Sequence, residues 1–251
     1  MTNIDLQDLT PTVTNIDLQD LTPTVTPTEI HVWRVSLGAT RSEMEALRHC
    51  LSKGEVERLE RFTSAVVRDR RAVAWGRLRV ILARYLDCLP QDIQIAREGL
   101  GRPEIIYPEA ARLFFSLSHS GNFGLVTISM AAVGVDIERI DLDVDTERLA
   151  MRFFTSREAE YLGSLPEGER VRAFFRLWVL KEAVLKSCGE TVPAGLSKCE
   201  LALAPEGPRL CSSNFKSMTD ACALTEIPVS AGYVAAVAGG KESAHVSVCD
   251  F

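Results

Sequence analysis

The sequence has no long apolar run and no paired cysteine motif. No apolar stretch approaches the roughly 20 residues that span a bilayer, and the N-terminus lacks the charged and then apolar pattern of a secretory signal. We therefore expect no membrane partner and a cytoplasmic location. Seven cysteines are scattered along the chain without a C-x-x-C pair. This spacing argues against a zinc site and against a disulfide framework.

The sequence also lacks an excess of positive charge. It has 28 Lys and Arg against 34 Asp and Glu, a formal net charge of −6. A non-specific nucleic-acid binder usually carries a basic excess, so we expect no nucleic-acid partner. A Walker phosphate loop is absent as well, and the lack of this loop and of a strongly basic groove argues against the Mg²⁺-dependent phosphoryl transferases and nucleases that rely on such features. The remaining composition, 46% hydrophobic and 25% charged, is typical of a globular protein.

The first 25 residues contain a tandem repeat. Residues 2–13 and 14–25 share the sequence T-N-I-D-L-Q-D-L-T-P-T-V. Two copies are too few to form a solenoid, so residues 1–25 are predicted to be a disordered leader outside the fold. The rest alternates helix and strand patterns, which favours the α+β class. We expect an N-terminal α+β half at 26–130 and a C-terminal α+β half at 131–251.

A short strand in the C-terminal half carries two carboxylates. Val133–Glu138 (V-G-V-D-I-E) alternates valine and isoleucine with other residues, which is the two-residue period of a strand. Asp136 and Glu138 should therefore lie side by side on one face.

A long helix is predicted further along the chain, at Phe174–Lys186, and it should end at Gly189. On this helix Trp178, Glu182 and Lys186 are spaced by four and share one stripe. Three carboxylates beside a lysine suggest magnesium and a phosphate-bearing substrate.

A second long helix, Asp69–Leu86, is rich in arginine. We expect its leucines, Leu78 among them, to face inward and five arginines to face outward: Arg70, Arg71, Arg77, Arg79 and Arg84. Such arginines either pair with surface charges or form an anion-binding edge. After the helix, a strand at 113–118 runs into His119-Ser120-Gly121. Short donors at a strand end are typical of an oxyanion or phosphate cradle.

These motifs together resemble the paired signature of the Sfp-type 4′-phosphopantetheinyl transferases. The likeness rests on G-V-D-I-E at 134–138 and W-V-L-K-E-A-V-L-K at 178–186. It extends to R-R at 70–71, G-R-P at 101–103, F-S-L-S-H-S-G at 115–121, R-F-F-T-S-R-E at 152–158 and G-Y-V-A-A-V-A at 232–238. The resemblance implies two similar α+β halves related by a pseudo-twofold, with coenzyme A bound in the active-site cleft between them.

The resemblance also implies roles for individual residues. Asp136, Glu138 and Glu182 match the ligands of a Mg²⁺ ion, with Mn²⁺ as an alternative. The catalytic residues would be Glu182, the first candidate for general base, with Glu158 as the second candidate and Lys186 beside the pyrophosphate. Coenzyme A would be held by Arg70, Arg102, Pro103, Ser118, His119, Lys181 and Lys186. The sequence departs from the family pattern at the 3′-phosphate of coenzyme A. Some members bind this phosphate with lysines that precede the phenylalanine matched here by Phe62. This chain has no lysine at those positions, and Lys53 and Arg58 lie nearby but out of register.

The implied activity is transfer of the 4′-phosphopantetheine group from coenzyme A to a serine of an acyl or peptidyl carrier protein, with release of adenosine 3′,5′-bisphosphate. Both sides of the cleft come from one chain, so we expect a monomer. Two alternatives stay open: an inactive module that binds coenzyme A or a carrier protein, and another Mg²⁺-dependent phosphoryl transferase. The sequence does not identify which carrier protein is used.

Overall fold

The computed structural model describes residues 23–97, 101–109, 112–190, 195–215, 222–240 and 243–251, and the backbone of Thr14 and Asn15. The helices are α1 Arg41–His49, α2 Lys53–Glu60, α3 Ala65–Leu86, α4 Thr146–Phe153, α5 Ser156–Ser164 and α6 Glu167–Cys188. The strands are β1 Thr14–Asn15, β2 Glu29–Ser36, β3 Gln94–Arg97, β4 Pro103–Tyr107, β5 Phe114–Ser120, β6 Phe123–Ser129, β7 Val133–Arg139, β8 Cys199–Ala204, β9 Gly207–Ser213, β10 Ala223–Glu226, β11 Tyr233–Gly239 and β12 His245–Asp250. Within the described part of the chain, no helix is both long and apolar enough to cross a membrane.

Two main sheets organise these strands, which confirms the α+β class. One has the order β1-β12-β2-β6-β5, and the other has the order β10-β11-β7. Two hairpins, β3-β4 and β8-β9, stand apart. The last strand, β12, pairs in parallel with β2, so a strand from the predicted C-terminal half completes the sheet of the N-terminal half. A simple division at residue 130 does not describe this crossing, which depends on a pairing between the two ends of the chain.

The predicted leader lies mostly outside the described residues. Thr14 and Asn15 pair in parallel with Ser247 and Val248 of β12. Val25 is buried in the core that α3 forms with its sheet. The fold therefore begins before the predicted boundary at residue 25, and the expectation of disorder stays a prediction for the residues that the structure does not describe.

Each half places one 22-residue helix against a sheet. Helix α3 packs on β2 and β6 through residues such as Trp33, Ile81 and Val126. Helix α6 packs on β11 through residues such as Leu177 and Ala236. The similar content of the halves agrees with the expected arrangement, and the pseudo-twofold itself stays a prediction.

The outward orientation predicted for the arginines of α3 is wrong at two positions. Arg77 and Arg79 are buried. Arg79 pairs with Glu55 at 2.7 Å and donates to the carbonyls of Pro90 and Ile93. A helix that is covered on most sides buries its arginines, and they then need acceptors inside the fold.

Helix α6 approaches β7 very closely at Gly134. An ideal Cβ on Gly134 would collide with the carbonyl oxygen of Ala183 and lie 2.5 Å from the backbone nitrogen of Ser187 and 2.7 Å from Cβ of Lys186. Only a residue without a side chain fits between strand and helix at this distance. The contact brings the stripe of α6 that carries Glu182 and Lys186 beside the carboxylates of β7.

Replacing Gly134 with alanine should therefore separate α6 from β7. We expect the Gly134→Ala variant to lose about 1–3 kcal/mol of unfolding free energy or more, as overpacked cores do. Urea denaturation followed by circular dichroism measures the change. Gly54→Ala in α2 is the matched control, because nothing lies within 4 Å of an added Cβ there; its stability should hold or rise. Equal stability of both variants would mean that α6 does not depend on Gly134.

Candidate active site

Asp136 and Glu138 lie on one face of β7, as the alternation predicts, and both line a cleft of about 760 Å³. Glu182 and Lys186 of α6 line the same cleft. Residues from both predicted halves, before and after position 130, line this cleft, so it lies between the two halves. Asp136 is 1% exposed, so a carboxylate is buried at the centre of this site.

The ammonium group of Lys186 links the carboxylates of the two elements. Its Nζ donates to Asp136 Oδ1 at 2.6 Å and to the Val135 carbonyl at 3.1 Å. The same nitrogen lies 3.6 Å from Glu182 Oε2. Two acidic groups far apart in sequence therefore share one internal cation.

Burial and the repulsion by neighbouring charge keep Glu138 and Glu182 from ionising easily. Burial, followed by the charge of Asp136, raises the pKa of Glu138 to about 7. The same two causes raise the pKa of Glu182 to about 7. Burial alone would lower the pKa of Lys186, but the charges of Asp136 and Glu182 outweigh it and raise that pKa above its ordinary value. The cluster therefore favours added positive charge.

The donor set fits a divalent cation. Asp136 Oδ2 is buried and has no hydrogen-bond partner among the described residues, whereas Oδ1 accepts from Ser118 and Lys186. Carboxylate oxygens are the ligands that Mg²⁺ and Mn²⁺ prefer. No three His, Cys, Asp or Glu side chains of the described ranges form a ready-made metal cluster. Instead, the Lys186 ammonium is bonded to Asp136 and faces Glu182, so the side chains must readjust to share an ion.

Three serines on alternate positions of β5 connect this strand to β7. Ser118 Oγ donates to Asp136 Oδ1 at 2.6 Å, and Ser120 Oγ donates to Glu138 Oε2 at 2.8 Å. Ser116 Oγ accepts from the backbone nitrogen of Val135 at 3.2 Å. Ser118, predicted to contact coenzyme A, donates its hydroxyl to a carboxylate in this structure. The period-two spacing of the serines is the sequence signal that could have predicted these contacts.

Cationic and aromatic groups also line the cleft. Of the residues predicted to hold coenzyme A, the structure brings five to the cleft: Arg102, Pro103, Ser118, His119 and Lys186. Arg102 donates through Nη2 to the Ser187 carbonyl. Burial, then the charge of Arg71, lowers the pKa of His119.

Arg71, rather than the predicted Arg70, faces the cleft. Arg70 Nη2 donates to Asn122 Oδ1 at 2.7 Å and lines a neighbouring cavity of about 550 Å³. Arg71 lines the main cleft, and its Nε is buried without a hydrogen-bond partner in the described structure. One residue along a helix turns a side chain by about 100°, and this rotation separates the two arginines. Trp75, which also lines the cleft, is four residues after Arg71, a helical spacing that could have identified both.

Arg58 lines the same end of the cleft, with its guanidinium carbon 5.3 Å from the ring centroid of Trp75. The residues lining the cleft do not include Lys53. Of the two cations that lie near the family's lysine positions, Arg58 is therefore the one that lines the cleft.

Glu158 and Lys181 are not cleft residues, which corrects two predicted roles. Lys181 is 0% exposed and Glu158 is 2% exposed. Lys181 Nζ donates to both oxygens of Glu158, at 2.6 and 2.7 Å, and to the Cys199 carbonyl. Glu158 also accepts from the backbone nitrogen of Leu201. This buried pair joins α5, α6 and β8, and neither residue is among those that line the cleft, so Glu158 is not placed to act as a base.

Comparisons with known proteins identify the family. The sequence matches the model of the 4′-phosphopantetheinyl transferase superfamily over residues 132–238 and that of the 4′-phosphopantetheinyl transferase N-terminal region over residues 36–131. It is 38% identical over 183 residues to 4′-phosphopantetheinyl transferase HetI of Nostoc sp., an alignment that covers 72% of this chain and 76% of that protein. The chain belongs to the 4′-phosphopantetheinyl transferase superfamily, and the family prediction is confirmed.

Two further similarities are more distant. The chain is 25% identical over 201 residues to 4′-phosphopantetheinyl transferase Sfp of Bacillus subtilis, covering 79% of this chain and 86% of that one. A crystal structure of a holo-(acyl-carrier-protein) synthase from Bacillus anthracis in complex with CoA (3′,5′-ADP) matches 44% of this chain and 96% of its own, at 19% identity and a TM-score of 0.34. A score this low supports no structural argument.

The raised pKa values predict how stability depends on pH without metal. Folded Glu138 and Glu182 hold their protons up to about pH 7, against an ordinary pKa of 4.5. Their contribution to the free energy of unfolding is therefore full below about pH 4.5 and is lost as pH rises through 7. In chelator, we expect the melting temperature to fall between pH 5.5 and pH 8. Asp136→Asn should flatten this decline, because it removes a charge that raises both pKa values; an equal decline in the variant would contradict the assignment.

Proposed function

We propose that the chain transfers the 4′-phosphopantetheine group of coenzyme A to a serine hydroxyl of an acyl or peptidyl carrier protein. The observation that carries this proposal is the convergence of Asp136, Glu138, Glu182 and Lys186 in a cleft that also contains arginines. Membership of the superfamily supports the same activity. Retention of all three carboxylates and the lysine favours a catalyst over an inactive binding module.

Coenzyme A is an anion with phosphates at both ends of its ribose, and the cleft offers cations for them. Arg71 and Arg102 each have a buried Nε without a hydrogen-bond partner among the described residues. Guanidinium groups with free N–H donors suit phosphate oxygens. His119 adds a ring N–H to the cleft, and Arg58, stacked on Trp75, adds a further cation. We propose that these groups hold the phosphates of coenzyme A.

Asp136, Glu138 and Glu182 would hold Mg²⁺, with Mn²⁺ as an alternative. When bound, such an ion neutralises charge on pyrophosphate oxygens and on the leaving phosphate. The buried oxygen of Asp136 that lacks a partner, and the pKa values raised by crowding, support this assignment.

The side chains of the cleft supply the remaining steps. The serine oxygen forms a bond to the phosphorus that carries pantetheine, the phosphoanhydride bond breaks, and adenosine 3′,5′-bisphosphate leaves. Lys186 lines the cleft from α6, and we propose that it donates to the charge that develops on the phosphate oxygens. Glu182 is the proposed acceptor of the serine proton, because it lines the cleft and Glu158 does not.

We further propose that the enzyme acts as a monomer, because one chain supplies groups from α3, β5, β7 and α6 to the cleft. Its cytoplasmic location stays a prediction, as does the choice between fatty-acid, polyketide and peptide synthase carriers.

The direct test is transfer of a fluorescent coenzyme A analogue to purified apo carrier proteins, with mass spectrometry and nucleotide chromatography as readouts. We expect a Mg²⁺-dependent mass gain on the carrier serine and an equal amount of adenosine 3′,5′-bisphosphate. Asp136→Asn should slow transfer by about two orders of magnitude or more, the typical cost of losing a group that stabilises transition-state charge.

The matched control is Asp143→Asn, which removes an exposed carboxylate from the loop after β7 and lies outside the cleft. It should transfer at the wild-type rate, and a carrier with alanine in place of the acceptor serine should gain no mass. Wild-type rates for Asp136→Asn, or no transfer to any carrier class by a folded enzyme that binds coenzyme A, would contradict the proposal.

A further inference from the structure

Ser120, the last residue of β5 before the turn to β6, contacts the carboxylate cluster directly. Ser120 Oγ accepts from the backbone nitrogen of Arg139 at 3.0 Å and donates to Glu138 Oε2 at 2.8 Å. Because an N–H already points at the oxygen of Ser120, the hydroxyl proton is directed at Glu138. Backbone and side chain of β7 are thus held by a single serine.

Contacts from three other elements fix this turn. Arg70 of α3 donates to the side chain of Asn122, the Asn122 carbonyl accepts from the backbone nitrogen of Leu37, and the Asn122 nitrogen donates to Tyr233 Oη at 3.3 Å. Gly121 has φ +57°, and an added Cβ would collide with Tyr233 Oη. These contacts hold the turn against α3 and β11.

Glu138 needs such a restraint more than Asp136 does. Asp136 is buried and bonded to both Ser118 and Lys186. Glu138 is only partly buried, has a longer side chain, and is repelled by Asp136. Without a hydrogen bond, repulsion would favour rotamers that turn its carboxylate towards solvent and away from the cleft.

We propose that Ser120 is a positioning residue that holds Glu138 for cation binding, and that Arg70 and Tyr233 act through the turn to support it. The inference rests on the metal site of the proposed function. Hydrogen bonds to ligating carboxylates typically change metal affinity. Arg70, which does not face the main cleft, has its role in this turn.

Mn²⁺ affinity tests this role without measuring turnover. Free Mn²⁺ is quantified by its electron paramagnetic resonance signal while full-length protein saturated with coenzyme A is titrated. We expect Ser120→Ala to bind Mn²⁺ about 10- to 100-fold more weakly than wild type, as lost outer hydrogen bonds to ligands do. Ser120→Thr keeps the hydroxyl, so its affinity should lie closer to wild type than to the alanine variant.

Ser116→Ala is the matched control. It removes a β5 hydroxyl whose hydrogen bond to β7 is to the backbone nitrogen of Val135 rather than to a carboxylate. Its melting temperature should fall while its Mn²⁺ affinity stays at the wild-type value. Wild-type affinity in Ser120→Ala, or an equal loss in Ser116→Ala, would overturn the positioning role. If wild-type protein itself bound no Mn²⁺, the metal site would fail, and this inference with it.

A second pair of variants addresses the turn in case Ser120→Ala folds poorly. Gly121→Ala pushes a Cβ against Tyr233 and should weaken Mn²⁺ binding. The double variant Gly121→Ala/Tyr233→Phe lacks the tyrosine oxygen that the added Cβ would meet, so it should recover part of the Mn²⁺ affinity. Wild-type affinity in Gly121→Ala would contradict the role of the turn.

Discussion

The close contact of α6 with β7 at Gly134 is the constraint on which the site depends. Because glycine has no side chain, the helix backbone lies against the strand, and Lys186 reaches the Val135 carbonyl and the Asp136 carboxylate. Glu182, one turn earlier on the same face, is brought to the same cleft. Residues that the sequence separates by more than forty positions thus act as one group, and a helix displaced by a methyl group would no longer supply its half of the site.

Gathering three carboxylates in a partly dry cleft is unfavourable on its own, and the structure shows how the cost is offset. Lys186 and the hydroxyls of Ser118 and Ser120 each stabilise negative charge on a carboxylate. These groups do not offset the whole cost, since the pKa values of Glu138 and Glu182 are still raised to about 7. A cluster that remains short of positive charge is suited to an added cation, and strongly perturbed pKa values cluster at functional sites. The buried Glu158–Lys181 pair, closed and fully bonded, is the contrasting case.

Local periodicity predicted which side chains share a face. It did not predict which face of a helix packs against a neighbouring element. The two-residue period put Asp136 and Glu138 together, and the structure confirms this placement. Arg70 and Arg71 are adjacent, so family likeness could not tell which one faces the cleft; the rotation of α3 on its sheet determines that. Lys181 precedes a cleft residue, yet it points into the core, because its face of α6 packs against α5 and β8. The parallel pairing of β12 with β2 joins the chain ends and leaves no local signal.

The proposal that Asp136, Glu138 and Glu182 bind one ion is open to direct observation. Crystals grown with coenzyme A and Mn²⁺ would locate the metal by its anomalous scattering. We expect a peak within about 2.5 Å of a carboxylate oxygen from each of the three residues, in contact with the pyrophosphate. A peak bound elsewhere, or ordered coenzyme A in the cleft with these carboxylates turned apart and no metal between them, would contradict the proposed site.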